Sequence, residues 1–169
     1  EMQYTRRDWR NRNLIKTAQG TQWLTVPVTT RGKYTQTIAQ TEINGSEWAG
    51  KHWKTLELTY RRAPYFDQIA EWLKPLYLAH HDIHLSVMNQ RFITEICKHL
   101  GITTRISRSE HYTLVEGKTE RLASLCKQAG GSEYVSGMAA QSYIDEGIFT
   151  QEGMTLSWFT YEGYPEYPQ

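Results

Sequence analysis

The chain has 169 residues, 39% of them hydrophobic and 22% charged, and a net charge of +1. That length suits a single domain, 1–169, whose core needs no disulfide staples, and the near-neutral balance argues against nucleic acid as a partner. No apolar run approaches the roughly 20 residues a bilayer-spanning helix requires, so no membrane span is expected.

The chain opens without Met on residues that already read as strand, and an upstream segment is expected to be missing. Residues 11–17 and 21–28 read as two strands joined through Ala18-Gln19-Gly20, because Trp, Leu, Val and Thr favour a pleat and glycine permits the turn. Thr37–Ile43 reads as a short strand, followed by the turn Asn44-Gly45 and a helix cap at Ser46. Trp48, His52, Leu56 and Tyr60 recur every fourth residue, the spacing of one helical face, over a helix ending near Arg62.

Pro64 suits the start of a second helix with an inward stripe of Phe66, Ile69, Ala70, Leu73 and Leu76, which Pro75 is expected to kink or end. A third helix is predicted over Asp82–His99, with Ile83, Val87, Phe92, Ile93, Ile96 and Leu100 turned inward and Gly101 as its stop. Beyond it the pattern alternates: a strand at Thr103–Ser107, a helix over Lys118–Ala129, a strand at Tyr134-Val135, a helix over Ala140–Glu146 and a strand over Met154–Tyr161. Such alternation predicts parallel pairing through crossovers. The fold class is therefore α/β: a mixed sheet with an N-terminal hairpin, a central helical segment and a C-terminal β-α-β-α-β part. Cys97 and Cys126 sit in apolar, helix-like runs without a CxxC pairing or a secretory leader, which points to buried, reduced thiols and a cytoplasmic setting.

Charge is unevenly spread. Residues 1–62 hold 11 Lys or Arg against 5 Asp or Glu, and residues 63–169 hold 8 against 13. A basic first part is expected to meet an anionic small molecule, or alternatively to adhere to the acidic remainder. Its densest stretch carries Arg7, Arg10, Arg12 and Lys16. On a strand, alternation puts Arg10, Arg12 and Lys16 on one face and Asn11 and Asn13 on the other. Guanidinium forks match phosphate or carboxylate oxygens, although such a row also serves as a solvated outer face paired with Asp8. His52 shares a helical face with Trp48 and Leu56, which suits either a general base or a hydrogen-bonded core histidine.

Ser136 and Gly137 lie where a strand passes through small residues towards a helix, a place where backbone N–H groups receive anions or where a tight crossover simply needs small side chains. Trp9, Trp23, Trp48 and Trp53 crowd the first third as stacking platforms or as core. Neither GxGxxG nor GxxxxGK[ST] is present. His80 and His84 have the spacing of paired metal ligands but lack an HExxH glutamate, so no metal is expected, and no cofactor or oligomeric state is indicated.

Together QYTRRDWRNRNLIKTAQGTQWLTVPV, EWAGKHWKTLELTYRRAPYF and YVSGMAAQSYIDEGIF resemble, in that order, the WbqC-like family of bacteria. That family is found with genes for O-antigen and other surface polysaccharides, and the resemblance implies amino-acid or acyl transfer to a nucleotide-linked or lipid-linked sugar. An anionic substrate such as a nucleotide sugar is implied as the partner; the alternative is a non-catalytic protein that binds the same ligand or scaffolds the same pathway. The family pattern falls on Gln3, Arg7, Trp9, Asn11, Arg12, Asn13, Lys16, Trp23, Pro27, His52, Tyr60, Pro64, Ser136, Gly137 and Tyr143. Two family features are absent here, a leading segment with a Pro-Trp motif and a continuation past the last Pro-Gln, and Gln141 stands where a basic residue is frequent.

Overall fold

The computed structural model describes residues 3–5, 9–79 and 81–164; Arg7, Asp8 and His80 lie outside the described residues. The chain divides into two compact units, one ending at Thr104 and the other beginning at Arg105.

In the first unit, β1 (Arg12–Thr17) pairs antiparallel with β2 (Gly20–Thr25), with Arg12 opposite Thr25 and Thr17 opposite Gly20. Gly20 thus belongs to the ladder, at φ +111°, and the turn is Ala18-Gln19 alone. The stretch Thr37–Ile43 does not form the expected strand. It makes isolated bridges, Gln3 to Thr37, Val28 to Ile43 and Glu42 to His84, because each partner meets it at a single position.

Three helices follow: α1 (Glu47–Tyr60), α2 (Phe66–Leu78) and α3 (Leu85–His99). Pro75 does not end α2. It lies in the last turn, where it offers no N–H to the carbonyl of Glu71, and the helix runs on to Leu78. Helix α1 buries Trp48, Ala49, His52 and Trp53, and its Trp48 and Ala49 join Tyr4, Val26, Leu85 and Met88 in the core. In α3 the expected inward stripe splits. Leu85, Met88 and Phe92, spaced i, i+3, i+7, face this core, whereas Ile93, about 100° further round the axis than Phe92, is exposed, as are Ile96 and Leu100. Ile83 and Val87 are exposed as well, as is Ile69 of α2.

The second unit contains α4 (Lys118–Gln128), β3 (Glu133–Gly137), α5 (Glu146–Gln151) and β4 (Thr155–Phe159). The strands β3 and β4 pair in parallel, Glu133 beside Thr155 through Gly137 beside Phe159, with α5 in the crossover as alternation predicts. Thr103–Ser107 is irregular rather than a strand, and the predicted helix at Ala140–Glu146 is instead a 3₁₀ turn, Met138–Ser142, separated from α5. Asp145 supplies the reason for the later start: its carboxylate accepts a hydrogen bond from Gly147 N–H at 2.9 Å and caps α5. Ala123, Phe149 and Met154 form this unit's core, with Tyr134 stacked on Phe149. Cys97 and Cys126 are unpaired and half-buried rather than fully buried. Among the described residues no helix is long and apolar enough to cross a membrane.

Candidate anion-binding cleft

The residues before β1 do not continue the strand; Trp9–Asn11 forms a 3₁₀ turn. Strand alternation therefore begins at Arg12, and the expected single row of Arg10, Arg12 and Lys16 is broken at its start. Asn11 secures the turn to the far end of the hairpin. Val26 N–H donates to the Asn11 carbonyl at 2.8 Å, and Asn11 Nδ2 donates to the Val26 carbonyl at 2.9 Å. From α3, Asn89 Nδ2 donates to the carbonyl of Arg10 at 2.9 Å. From α1, the Tyr60 hydroxyl donates to the Lys16 carbonyl at 2.7 Å and accepts from Lys16 N–H at 3.1 Å, which satisfies both backbone groups of Lys16 on the outer edge of β1.

These ties shape an open cleft of about 430 Å³ within the first unit. Arg10, Asn11, Arg12, Asn13 and His52 all line it, together with Trp9 and Asn89. Lys16 does not. It shares the Arg12 face, but four residues of strand at about 3.4 Å each carry it beyond the cleft. Trp23 stands diagonally across the ladder from Arg12 on the same face, and the Arg12 guanidinium lies 3.5 Å from the centre of its ring. Among the described residues Arg12 has no carboxylate partner, and its Nε is buried without a hydrogen bond. Arg10 stacks similarly over Trp9 at 4.5 Å. The four tryptophans thus divide in function: Trp48 and Trp53 fill the interior, whereas Trp9 and Trp23 remain at the surface and hold cations.

His52 is only 8% exposed and packs edge-on against Trp48, with ring centres 5.1 Å apart. Its Nε2 lies 3.1 Å from the Thr25 carbonyl oxygen. A carbonyl only accepts, so Nε2 carries the proton and, in the neutral ring, Nδ1 holds the free lone pair. Desolvation lowers the His52 pKa, and the hydrogen bond to Thr25 opposes that shift in part. The ring is therefore neutral at pH 7, as a proton acceptor must be. His52 also borders a second hollow, with Thr25, Pro27, Asn44 and Lys51.

Ser136 and Gly137 belong to the second unit. Ser136 is half-buried beside Trp158 in the ladder, and Gly137 ends β3 at φ −75° and ψ 152°, a conformation open to any residue. The backbone after it enters the short 3₁₀ turn, so the helix-start geometry expected there is absent. Among the described residues no cluster of three or more His, Cys, Asp or Glu has the arrangement of a metal site. Sequence reasoning overlooked Asn89, Tyr77 and the exposed isoleucines of α3 as cleft residues. A polar Asn89 between Met88 and the Phe92-Ile93 pair was the available signal.

Comparison with known proteins places the chain. The profile of the WbqC-like protein family matches residues 1–169. A protein of Mycobacterium tuberculosis strain H37Rv, "Uncharacterized protein Rv1507c", is 52% identical over 169 residues, which span 100% of this chain and 73% of that relative. No solved structure matches the chain significantly.

Proposed function

Because the chain belongs to the WbqC-like protein family, we propose that it is a transferase that moves an amino-acid or acyl group onto a nucleotide-linked or lipid-linked sugar during surface-polysaccharide assembly. The reading takes residues 1–169 as one WbqC-like domain working in the cytoplasm. The observation that carries it is the Arg12 guanidinium, 3.5 Å from the centre of the Trp23 ring and without a carboxylate partner among the described residues, in the same cleft as a histidine whose pKa burial lowers. Arg10 and Arg12 hold the anionic group of the ligand, Asn11 and Asn13 shape its seat, and Lys16 extends the positive field. Nδ1 of His52 takes the proton from the attacking amine or hydroxyl as its bond to the acyl carbon forms. The carrier departs with the electron pair of the broken bond and that proton.

One observation favours a second reading, a non-catalytic protein that binds the same ligand: His52 is buried and its Nε2 is engaged by the backbone of β2, as in a structural histidine. A thermal-shift screen of nucleotide sugars, acyl-CoA and amino acids separates the two, since a ligand preferring the folded state raises its stability. Paired donor and acceptor hits, with turnover lost in His52→Ala but ligand shifts retained, support the transferase. Full turnover in His52→Ala removes the histidine from the chemistry, and hits without any turnover favour the binding protein. Shifts that persist undiminished in Arg12→Gln overturn both.

A further inference from the structure

The part of the cleft away from the arginines bears on what the anion is attached to. Periodicity assigns Ile93 and Ile96 to the interior, yet they are 52% and 38% exposed, and both line the cleft with Leu14, Leu24 and Phe92. A concave apolar wall left open to water is a surface that gains from being covered. Its charge is also one-sided: the cations Arg10 and Arg12 border one part, and among the described residues no carboxylate lines the cleft. The volume of about 430 Å³ lies within the roughly 300–1,000 Å³ that holds a small organic ligand.

A nucleobase fits this wall poorly. Its hydrogen-bonding edge would be desolvated against leucine, isoleucine and phenylalanine, and one of the two N–H groups of the nearby Asn89 amide already serves the Arg10 carbonyl. The surface indoles able to stack a base, Trp9 and Trp23, each carry a guanidinium over the ring. A hydrocarbon chain meets neither obstacle.

We infer that the cleft receives a lipid phosphate, an alkyl or isoprenyl chain ending in a phosphate group, with the phosphate against Arg12 and Arg10 and the chain along Leu14, Phe92, Ile93 and Ile96. The inference rests on the anion-binding reading of the cleft and narrows it, from nucleotide-linked or lipid-linked ligands to the lipid-linked class.

The test is calorimetric titration of the whole chain with decyl phosphate below its micelle concentration. Octyl phosphate, inorganic phosphate, decyltrimethylammonium and a uridine diphosphate sugar serve as comparison probes. Decyl phosphate is expected to bind at least tenfold tighter than inorganic phosphate and than decyltrimethylammonium. Shortening the chain to octyl weakens binding roughly tenfold, the consequence of two fewer buried methylenes. Arg12→Gln, which removes the head contact, and Ile93→Ser, which removes part of the wall, each weaken decyl phosphate about tenfold. Unchanged circular dichroism and thermal melting of both variants exclude misfolding as the cause. Affinity independent of chain length, or unchanged by both substitutions, overturns the inference. If the uridine diphosphate sugar binds through Arg12 while alkyl phosphates do not, the lipid assignment fails and the anion-binding reading stands. If no phosphate-bearing probe depends on Arg12, both fail.

Discussion

Tyr60→Phe isolates the contact that binds the hairpin to α1. The substitution removes one oxygen and, with it, the donation to the Lys16 carbonyl at 2.7 Å and the acceptance from Lys16 N–H at 3.1 Å. Each neutral hydrogen bond contributes about 0.5–1.5 kcal/mol net. Lys16 is half-buried, so water partly replaces the lost partner, and the expected destabilisation is about 1–2 kcal/mol rather than the upper sum. Urea denaturation followed by tryptophan fluorescence is the assay, because Trp9, Trp23, Trp48, Trp53 and Trp72 all precede Thr104 and report on the first unit. Hydrogen exchange supplies a local readout: the Lys16 amide should exchange roughly tenfold faster in the variant. If stability changes by less than about 0.3 kcal/mol and the Lys16 amide keeps its protection, the hydroxyl bridge does not hold the strand and the reasoning fails.

Titration of His52 gives a pH signature. Burial lowers its folded pKa below the ordinary 6.5, so the unfolded chain takes up this proton first. The associated stability is present above pH 6.5 and is lost as pH falls through the lower folded value. Melting scans from pH 7.5 to 5 should show wild type losing stability relative to His52→Gln, which offers an N–H donor but does not titrate; parallel curves refute the burial argument. Leu85 is fully buried in the first core, so Leu85→Ala should cost roughly 2–5 kcal/mol in the same urea experiment. A cost below about 1 kcal/mol would show that the core collapses around the gap.

Much of the architecture was legible in local patterns. The fourfold recurrence from Trp48 to Tyr60 and the helical patterns over Asp82–His99 and Lys118–Ala129 are properties of single segments, and the structure has helices at Glu47–Tyr60, Leu85–His99 and Lys118–Gln128. The hairpin and the parallel pairing of the last two strands were readable for the same reason, since turn residues and alternation are local signals. His52, on the face of Trp48 and Leu56, was expected to turn to the interior or a cleft rather than to open water; it is 8% exposed and borders the cleft.

What local patterns left open depended on partners distant in the chain. Periodicity identifies the apolar side of a helix but not how much of it another element will cover; in α3 the Leu85 and Met88 line found a core, while Ile93 and Ile96 became the wall of a cleft. Alternation placed Lys16 with Arg12, yet the 3₁₀ turn at Trp9–Asn11 and the rise of the strand sent Arg10 and Lys16 to different surroundings. Thr103–Ser107 has strand-forming residues but pairs with no strand among the described residues, and it stays irregular. A strand, like a buried face, exists only when a second surface arrives to complete it, and that surface is chosen by the folded chain as a whole.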